Sequence, residues 1–223
     1  MQPPRQPAQQ TASDTGPDTA PSQQQKWEDV YATKDPKTVS WFEAEARQSL
    51  ELLDKIAATP NNSLIDIGAG VSPLVPDLWA RGWRDLTALD LSANALAINK
   101  AKLPEAKSIQ WIAADVREWR PKRRYDLWHD RAALHFLTCA RDQARYHRTL
   151  LAALPVGGHA IIATFAPDGP KSCSGQQIEP YDAGQLMQFL GPRFTCRHNQ
   201  RFSHFTPSGS EQRFSAVVAQ RRS

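Results

Sequence analysis

Gly68 and Gly70 flank Ala69 immediately after the apolar run Leu64-Ile65-Asp66-Ile67, and that spacing is the first sign of chemistry in the chain. Glycine lets a backbone come close to a ligand, and a helix starting just beyond offers unpaired N–H groups and the positive end of its dipole. Such a turn suits a polar, partly anionic ligand, although a purely structural turn can have the same residues. Carboxylates strengthen the case. Asp90 closes a second apolar run some two dozen residues after Asp66, where a side chain in an α/β fold accepts hydrogen bonds from ribose hydroxyls. Asp115 closes a third run and is suited to accept from an adenine amino group. Three acids at three successive strand ends lie along the carboxyl edge of a sheet, so they imply one crevice and an adenosine-containing ligand. A dinucleotide fingerprint requires a third glycine three positions beyond Gly70. Pro73 stands there, which disfavours a nicotinamide dinucleotide.

These residues need a frame to hold them. The run from Leu64 to Ile67 reads as strand one, followed by the glycine turn and by Ser72-Pro73, an N-cap with proline in the first helical position. Asp85 to Leu91 reads as strand two, with Ser92 capping the next helix up to Pro104. Ile109 to Val116 is strand three, Tyr125 to His129 strand four and Gly158 to Phe165 strand five, with helical stretches at Ala132 to Leu137 and Asp142 to Leu154. A helix from Asp182 to Leu190 stops at Gly191-Pro192. Two extended stretches, Phe194 to Phe205 and Glu211 to Gln220, then form a hairpin across Thr206-Pro207-Ser208-Gly209-Ser210. Ahead of strand one, Ser40 and Glu43 match a capping box, and Phe42, Ala46, Leu50, Leu53 and Ile56 continue at helical spacing to about Ala57. Strands alternating with helices predict an α/β fold: a Rossmann-like seven-stranded sheet, mostly parallel, with an antiparallel terminal hairpin strand and helices on both faces.

Composition excludes several classes. The 223 residues leave about 200 for one folded domain, 26 to 223, once residues 1 to 25 are set aside. That leading segment is Gln, Pro, Ser, Thr and Asp with almost no large apolar side chain, and is expected to be a disordered tail. No secretory core and no apolar stretch of about 20 residues is present, so a cytoplasmic protein with no membrane partner is expected. Cys139, Cys173 and Cys196 are odd in number and form no C-x-x-C pair, which argues against disulfides and a zinc cage. His147, His159, His198 and His204 lack ligand spacing, and no metal is predicted. A net charge of +4 draws on the run Arg117, Arg120, Lys122, Arg123, Arg124. Between strands three and four that run is expected to lie at the amino edge, away from the site, which disfavours a nucleic-acid partner.

The segment Leu64 to Gly70, then Asp90, then Asp115-Val116, resembles motifs I to III of class I S-adenosylmethionine-dependent methyltransferases, and the resemblance extends over about Lys26 to Arg221. It implies S-adenosylmethionine as cofactor. It also implies that Asp66, Gly68, Ala69 and Gly70 line its methionine part, Asp90 and Leu91 its ribose, and Asp115 with Val116 its adenine. Lys26-Trp27-Glu28, Tyr31 and Ser40-Trp41-Phe42-Glu43 resemble the N-terminal lid of thiopurine and tellurite methyltransferases and of some small lysine methyltransferases. Trp128 to Leu134 is similar to the D-R-G-A-L stretch of thiopurine methyltransferases, with Ala132 in place of the glycine. The segment from Phe165 to Pro170, with Cys173-Ser174-Gly175 and Tyr181, resembles a bacterial group of methyltransferases that brings no substrate assignment.

Methyl transfer from a sulfonium is an in-line displacement with an activated donor, so positioning alone supplies about 7–11 kcal/mol. A general base serves only an acceptor that carries a proton. Asp130 is the first candidate, read as ending strand four beside the methyl group, with a helix-capping role as the alternative; His129, His135 and Tyr181 follow. Trp27, Trp41 and Phe42 form an aromatic lid or a packing surface, and the loop from Ala166 to Tyr181 shapes the acceptor pocket, with Cys173 an ordinary loop cysteine. A small-molecule acceptor is favoured over a protein lysine, with a donor-binding module without turnover as a third reading.

Overall fold

The computed structural model describes residues 22–223; residues 1–21, most of the expected tail, lie outside the described residues. In chain order the elements are α1 (Gln23–Thr33), α2 (Arg47–Asp54), β1 (Leu64–Ile67), α3 (Leu74–Ala80), β2 (Leu86–Asp90), α4 (Ala93–Ala101), β3 (Gln110–Ala113), β4 (Leu127–Arg131), a 3-10 turn (Leu134–Phe136), α5 (Ala140–Ala153), β5 (His159–Phe165), β6 (Ser172–Cys173), β7 (Gln176–Gln177), α6 (Ala183–Leu190), β8 (Phe194–Phe205) and β9 (Glu211–Arg221).

Seven strands form one sheet in the order β3-β2-β1-β4-β5-β9-β8, and β6 and β7 form a separate two-stranded hairpin. β9 runs antiparallel to both neighbours, while β1 to β5 pair in parallel. The chain therefore reverses its direction of winding between β1 and β4, and the carboxyl ends of those strands open a crevice there. This is the expected Rossmann-like α/β sheet with its antiparallel terminal strand.

Side-chain alternation explains the layers. Leu64, Ala88, Leu127, Ile161, Ala216 and Val218 face Leu50 and Leu53 of α2, Leu74 and Leu78 of α3 and Leu96 of α4. Ile65, Ile67, Trp128, Ala160, Ile162 and Val217 face Tyr146 and Leu150 of α5 and Leu186 and Leu190 of α6. Successive strand residues point to opposite faces, so strands buried on both sides are apolar throughout and helices cover both faces. The hydroxyl of the buried Tyr146 accepts a hydrogen bond from Trp128 Nε1 at 2.9 Å, satisfying both polar tips inside the core.

Several boundaries differ from the sequence expectation. α1 starts at Gln23, so Gln23 to Gln25 of the expected tail are helical, with Ser22 Oγ accepting from Gln25 N–H. The Ser40–Glu43 capping box does not form, and α2 begins only at Arg47. Glu43 is drawn instead to Arg131, and the carbonyl of Ser40 to His204 Nε2. The amide of Ala46 is capped from another helix by Asp77 Oδ2 at 2.8 Å. β3 ends at Ala113, two residues short of Asp115, and β4 starts and ends two residues later than expected. The expected helix at Ala132 to Leu137 is a single 3-10 turn. Ser72 accepts from Leu74 N–H at 3.2 Å, one residue out of step with the expected cap.

Candidate functional site

The turn after β1 is held from three directions. Gly68 and Gly70 have φ of 65° and 47°, in the left-handed region that favours glycine. A Cβ on Gly68 would come within 2.7 Å of Ala133 Cβ, and one on Gly70 within 2.7 Å of the Tyr31 hydroxyl. The amides of Gly68 and Ala69 both donate to Leu89 O, at 2.8 and 3.1 Å, and that of Gly70 donates to Asp90 Oδ2 at 2.8 Å. From α4, Asn99 Nδ2 donates to Gly70 O and Ser72 O. Asn99 carried no motif in the sequence; a buried amide on an otherwise apolar helix face is the signal that could have found it.

Asp90 accepts from Gly70 N–H on one oxygen and from Ser92 N–H on the other, tying β2 to both the glycine turn and the start of α4. Burial pushes its carboxyl up to about 6, against the lowering effect of those two amides. Asp115 accepts from the amide and guanidinium of Arg117, whose Nη1 also reaches Asp142. The ion pairs with Asp115 and Asp142 raise the Arg117 guanidinium above its ordinary range. Arg117 lines the same hollow as Asp115, which corrects the expectation that the whole basic run lies away from the site. Arg123 does lie away, paired with Asp85 at the opposite end of β2.

One hollow is lined by Asp66, Gly68, Ala69, Gly70, Asp90, Leu91, Asp115 and Val116 together, so the expected convergence of the first three strand ends is realised in space. The same hollow is also lined by Glu43, His129, Arg131, Phe136, Phe165, Cys173, Gln212 and Phe214. The residues Trp27, Tyr31 and Trp41 cover it and pack on each other and on Phe136, with Trp27 5.6 Å from Trp41 and 5.2 Å from Phe136 between ring centroids. α1 is latched there by Glu28, which accepts from Ser92 Oγ and from the amides of Ala93 and Asn94 at the start of α4. Burial, with Asp90 nearby, holds the Tyr31 phenol well above its usual range.

A buried chain that includes two lining residues joins β1, β4 and α2. Asp66 Oδ1 lies 2.7 Å from His129 Nδ1, and His129 Nε2 lies 2.9 Å from Ser49 Oγ. The carboxylate can only accept, so Nδ1 carries a proton. Both ring nitrogens are thus engaged and His129 has no free atom for an acceptor.

The expectation for Asp130 is corrected. It is fully buried and is not among the residues lining the hollow. Oδ1 accepts from the amide of Ala133 at 2.8 Å, Oδ2 from that of Leu134 at 3.1 Å and from the Tyr146 hydroxyl at 2.6 Å. It caps the 3-10 turn, because alternation along β4 sends Asp130 to the face opposite His129 and Arg131. Burial pushes its carboxyl up to about 6. His135 and Tyr181 also fall outside the lining: His135 accepts from Phe165 N–H within the core, where burial lowers it to about 3, and Tyr181 accepts from Gln143. Cys173 does line the hollow, and burial raises its thiol to about 11, which disfavours the thiolate. Ala132 has φ of 70°, which is why a glycine is the natural occupant of that position.

No helix among the described residues is long and apolar enough to cross a membrane. Residues 64–158 match the sequence profile of a family described as "Methyltransferase domain". Trans-aconitate 2-methyltransferase of Yersinia pestis (strain Pestoides F) is 31% identical over 137 residues, which are 60% of this chain and 50% of that protein. The chain thus spans about half the length of the curated relatives it matches. Among solved structures, N-methyltransferase NodS from Bradyrhizobium japonicum in complex with S-adenosylhomocysteine superposes with a TM-score of 0.69 at 16% identity, over 89% of this chain and 98% of that one. The 1,6-didemethyltoxoflavin-N1-methyltransferase of Burkholderia thailandensis does so with a TM-score of 0.64 at 21% identity, over 87% and 82%. Residues 64–158 are thus similar to a methyltransferase domain in profile, and the fold is that shared by these solved structures.

Proposed function

We propose that this protein is an S-adenosylmethionine-dependent methyltransferase that acts on a small molecule. The observation that carries this reading is the shared hollow: Asp66, Asp90 and Asp115, from the ends of three successive strands, line one space with the Gly68–Gly70 turn. The fit to such a donor rests on the same place. A Cβ at Gly68 or Gly70 would fill the cradle, and Asp66 Oδ2 is buried without a hydrogen-bond partner among the described residues. Asp66 and the glycine turn would hold the amino-acid part, Asp90 and Leu91 the ribose, and Asp115 with Val116 the adenine.

The donor, when bound, supplies a methyl group on a positively charged sulfur. Four carboxylates, Glu43, Asp66, Asp90 and Asp115, against two guanidiniums, Arg117 and Arg131, make the lining net acidic, which favours a cation. The covering Trp27, Tyr31, Trp41 and Phe136 exclude water, so the residues contribute chiefly alignment and desolvation. Of the candidate bases, His129 is engaged on both nitrogens, and Asp130, His135 and Tyr181 do not line the hollow. An acceptor that is nucleophilic without losing a proton to the protein matches this arrangement.

The aromatic cover favours a small acceptor over a protein lysine, which needs an open groove. Incubation with methyl-labelled donor and a panel of thiols, amines, carboxylates and candidate proteins tests the reading. Transfer to a small molecule supports it. Absence of donor and S-adenosylhomocysteine binding by calorimetry refutes the donor site itself.

A further inference from the structure

The sheet gathers arginines at the edge opposite the hollow. Pairing aligns Leu127 of β4 with His159 of β5, His159 with Gln220 of β9, and Phe194 of β8 with Arg221 of β9. Because β9 runs antiparallel, its end comes back to the amino ends of β4, β5 and β8. Arg124 precedes β4, Arg193 precedes β8, and Arg221 and Arg222 close β9, so residues far apart in the chain share one edge. Arg197 lies in a bulge that leaves it out of the pairing with β9, and it donates to Gln220 Oε1. The backbone fixes the cluster: Arg222 N–H donates to Arg193 O at 2.7 Å, Gly157 N–H to Arg221 O at 2.8 Å and Tyr125 N–H to Ala153 O at 2.8 Å. Arg221 is held in place, with Nη1 donating to Leu151 O and Leu154 O. Arg124, Arg193, Arg197 and Arg222 are exposed. Among the described residues none of these five arginines forms an ion pair. The carboxylates beside them are already engaged, Asp85 with Arg123 and Asp126 with the amide and hydroxyl of Ser63. Burial, with the charges of Arg124 and Arg193 close by, lowers the Arg221 guanidinium from its ordinary range. Like charges held this close repel, and a bound anion relieves the repulsion.

We propose that this edge binds the phosphodiester backbone of a nucleic acid, without reading its sequence. The nucleic acid is a partner held away from the hollow and not the methyl acceptor. From β4 across β5 and β9 to β8 the edge extends about 14 Å, a row that suits a chain of phosphates better than a lone anion. Arginine is the side chain whose planar fork meets phosphate oxygens in pairs, and the unpaired charges here are all arginine. A lipid surface fits less well. The large apolar side chain exposed beside the row is Val156, at 58%, and its full burial adds only about 1.5–3 kcal/mol. An acidic protein would want aromatic anchors at the centre of the contact, and none of the exposed side chains named here supplies one.

The test is fluorescence anisotropy of a labelled, uridine-only RNA of about 20 nucleotides, titrated with the full chain at salt concentrations from about 50 to 200 mM. Each phosphate neutralised on a single strand adds about −0.7 to the slope of log affinity against log salt, so the four exposed arginines predict a fall of roughly 10- to 100-fold over that range. The triple variant Arg124→Gln/Arg193→Gln/Arg222→Gln keeps Arg221 and should flatten the slope by about 2, with melting temperature and S-adenosylhomocysteine affinity unchanged. Arg222→Glu alone alters one exposed side chain and should weaken the RNA by about tenfold, which keeps the test valid if the triple variant melts early. Failure of the wild type to bind RNA at the lowest salt overturns the proposal. So does a triple variant with unchanged affinity and slope, which would put the contacts elsewhere. Phosphatidylserine vesicles and polyglutamate are measured alongside, and tighter binding of either than of RNA, lost in the triple variant, replaces the nucleic acid with a membrane or an acidic protein. S-adenosylhomocysteine binding is read separately, so a failed donor site and a failed basic edge are told apart.

Discussion

Replacing Asp130 separates a capping role from a catalytic one. In the wild type its carboxylate serves the amides of Ala133 and Leu134 and the hydroxyl of Tyr146. Asp130→Ala leaves these three buried donors without an acceptor, at about 1–3 kcal/mol each. Part of that is returned, because a carboxyl held near 6 instead of 3.8 makes the ionised native state costlier by about 3 kcal/mol at neutral pH. The net expectation is a loss of about 3 kcal/mol, a large fraction of the ~5–15 kcal/mol that holds a domain folded. Asp130→Asn keeps an oxygen for the two amides, and Tyr146 still accepts from Trp128. Only one donor is then stranded, against the same gain of about 3 kcal/mol, so this variant should lie within ~2 kcal/mol of wild type at pH 7. The pH dependence follows in sign. A carboxyl raised in the native state holds its proton more tightly there than in the unfolded chain, so wild-type stability rises as pH falls through about 6 and levels off near 3.8. Asp130→Asn lacks this component. Asp90, raised in the same direction, is present in both proteins and cancels from the difference. Urea unfolding of wild type and both variants at pH 5 and pH 8 measures the difference. The reasoning is refuted if Asp130→Asn folds and binds donor like wild type yet loses a hundredfold or more in turnover, the mark of a general base.

Asp90→Asn should weaken S-adenosylhomocysteine binding by roughly tenfold or more, through loss of a charged acceptor for hydroxyls. Wild-type affinity should fall as pH drops below about 6, where Asp90 takes up a proton; both are read by calorimetry. Ala132→Gly relieves a left-handed non-glycine backbone costing about 1–2 kcal/mol, against about 0.5–1 kcal/mol of added chain freedom when unfolded, so a small rise in Tm is expected. A fall in Tm would mean that the Ala132 methyl packs for more than its strain. Glu28→Ala removes the shared acceptor of Ser92 Oγ and two α4 amides, and amide hydrogen exchange across α1 should quicken while the β1 to β5 sheet stays protected. Unchanged exchange in α1 would show that the aromatic cluster alone holds it.

Much of the architecture was readable from the chain because its signals are local. An apolar run ending in Asp66-Ile67-Gly68, a serine ahead of α4 and a Thr-Pro-Ser-Gly-Ser turn between two extended stretches each act through neighbours a few residues away. Alternation of such segments then leaves few topologies, and the three acids follow as strand ends at one sheet edge. The Ser40 capping box failed for the complementary reason: its residues found better partners at long range, Glu43 in Arg131 and Ser40 in His204.

The long-range partners that hold the site together came from tertiary structure alone. His129 meets Asp66 across 63 residues of chain, Glu28 meets Ser92 across 64 and Arg131 meets Glu43 across 88. Asp130 and Arg131 are adjacent in sequence, yet one caps a turn in the core and the other lines the hollow, because a strand sends successive side chains to opposite faces. A pattern of residue types tells which strand end carries a charge. Which face that charge occupies, and which distant group neutralises it, is decided only when the sheet register and the packed helices bring the partners within a hydrogen bond of each other.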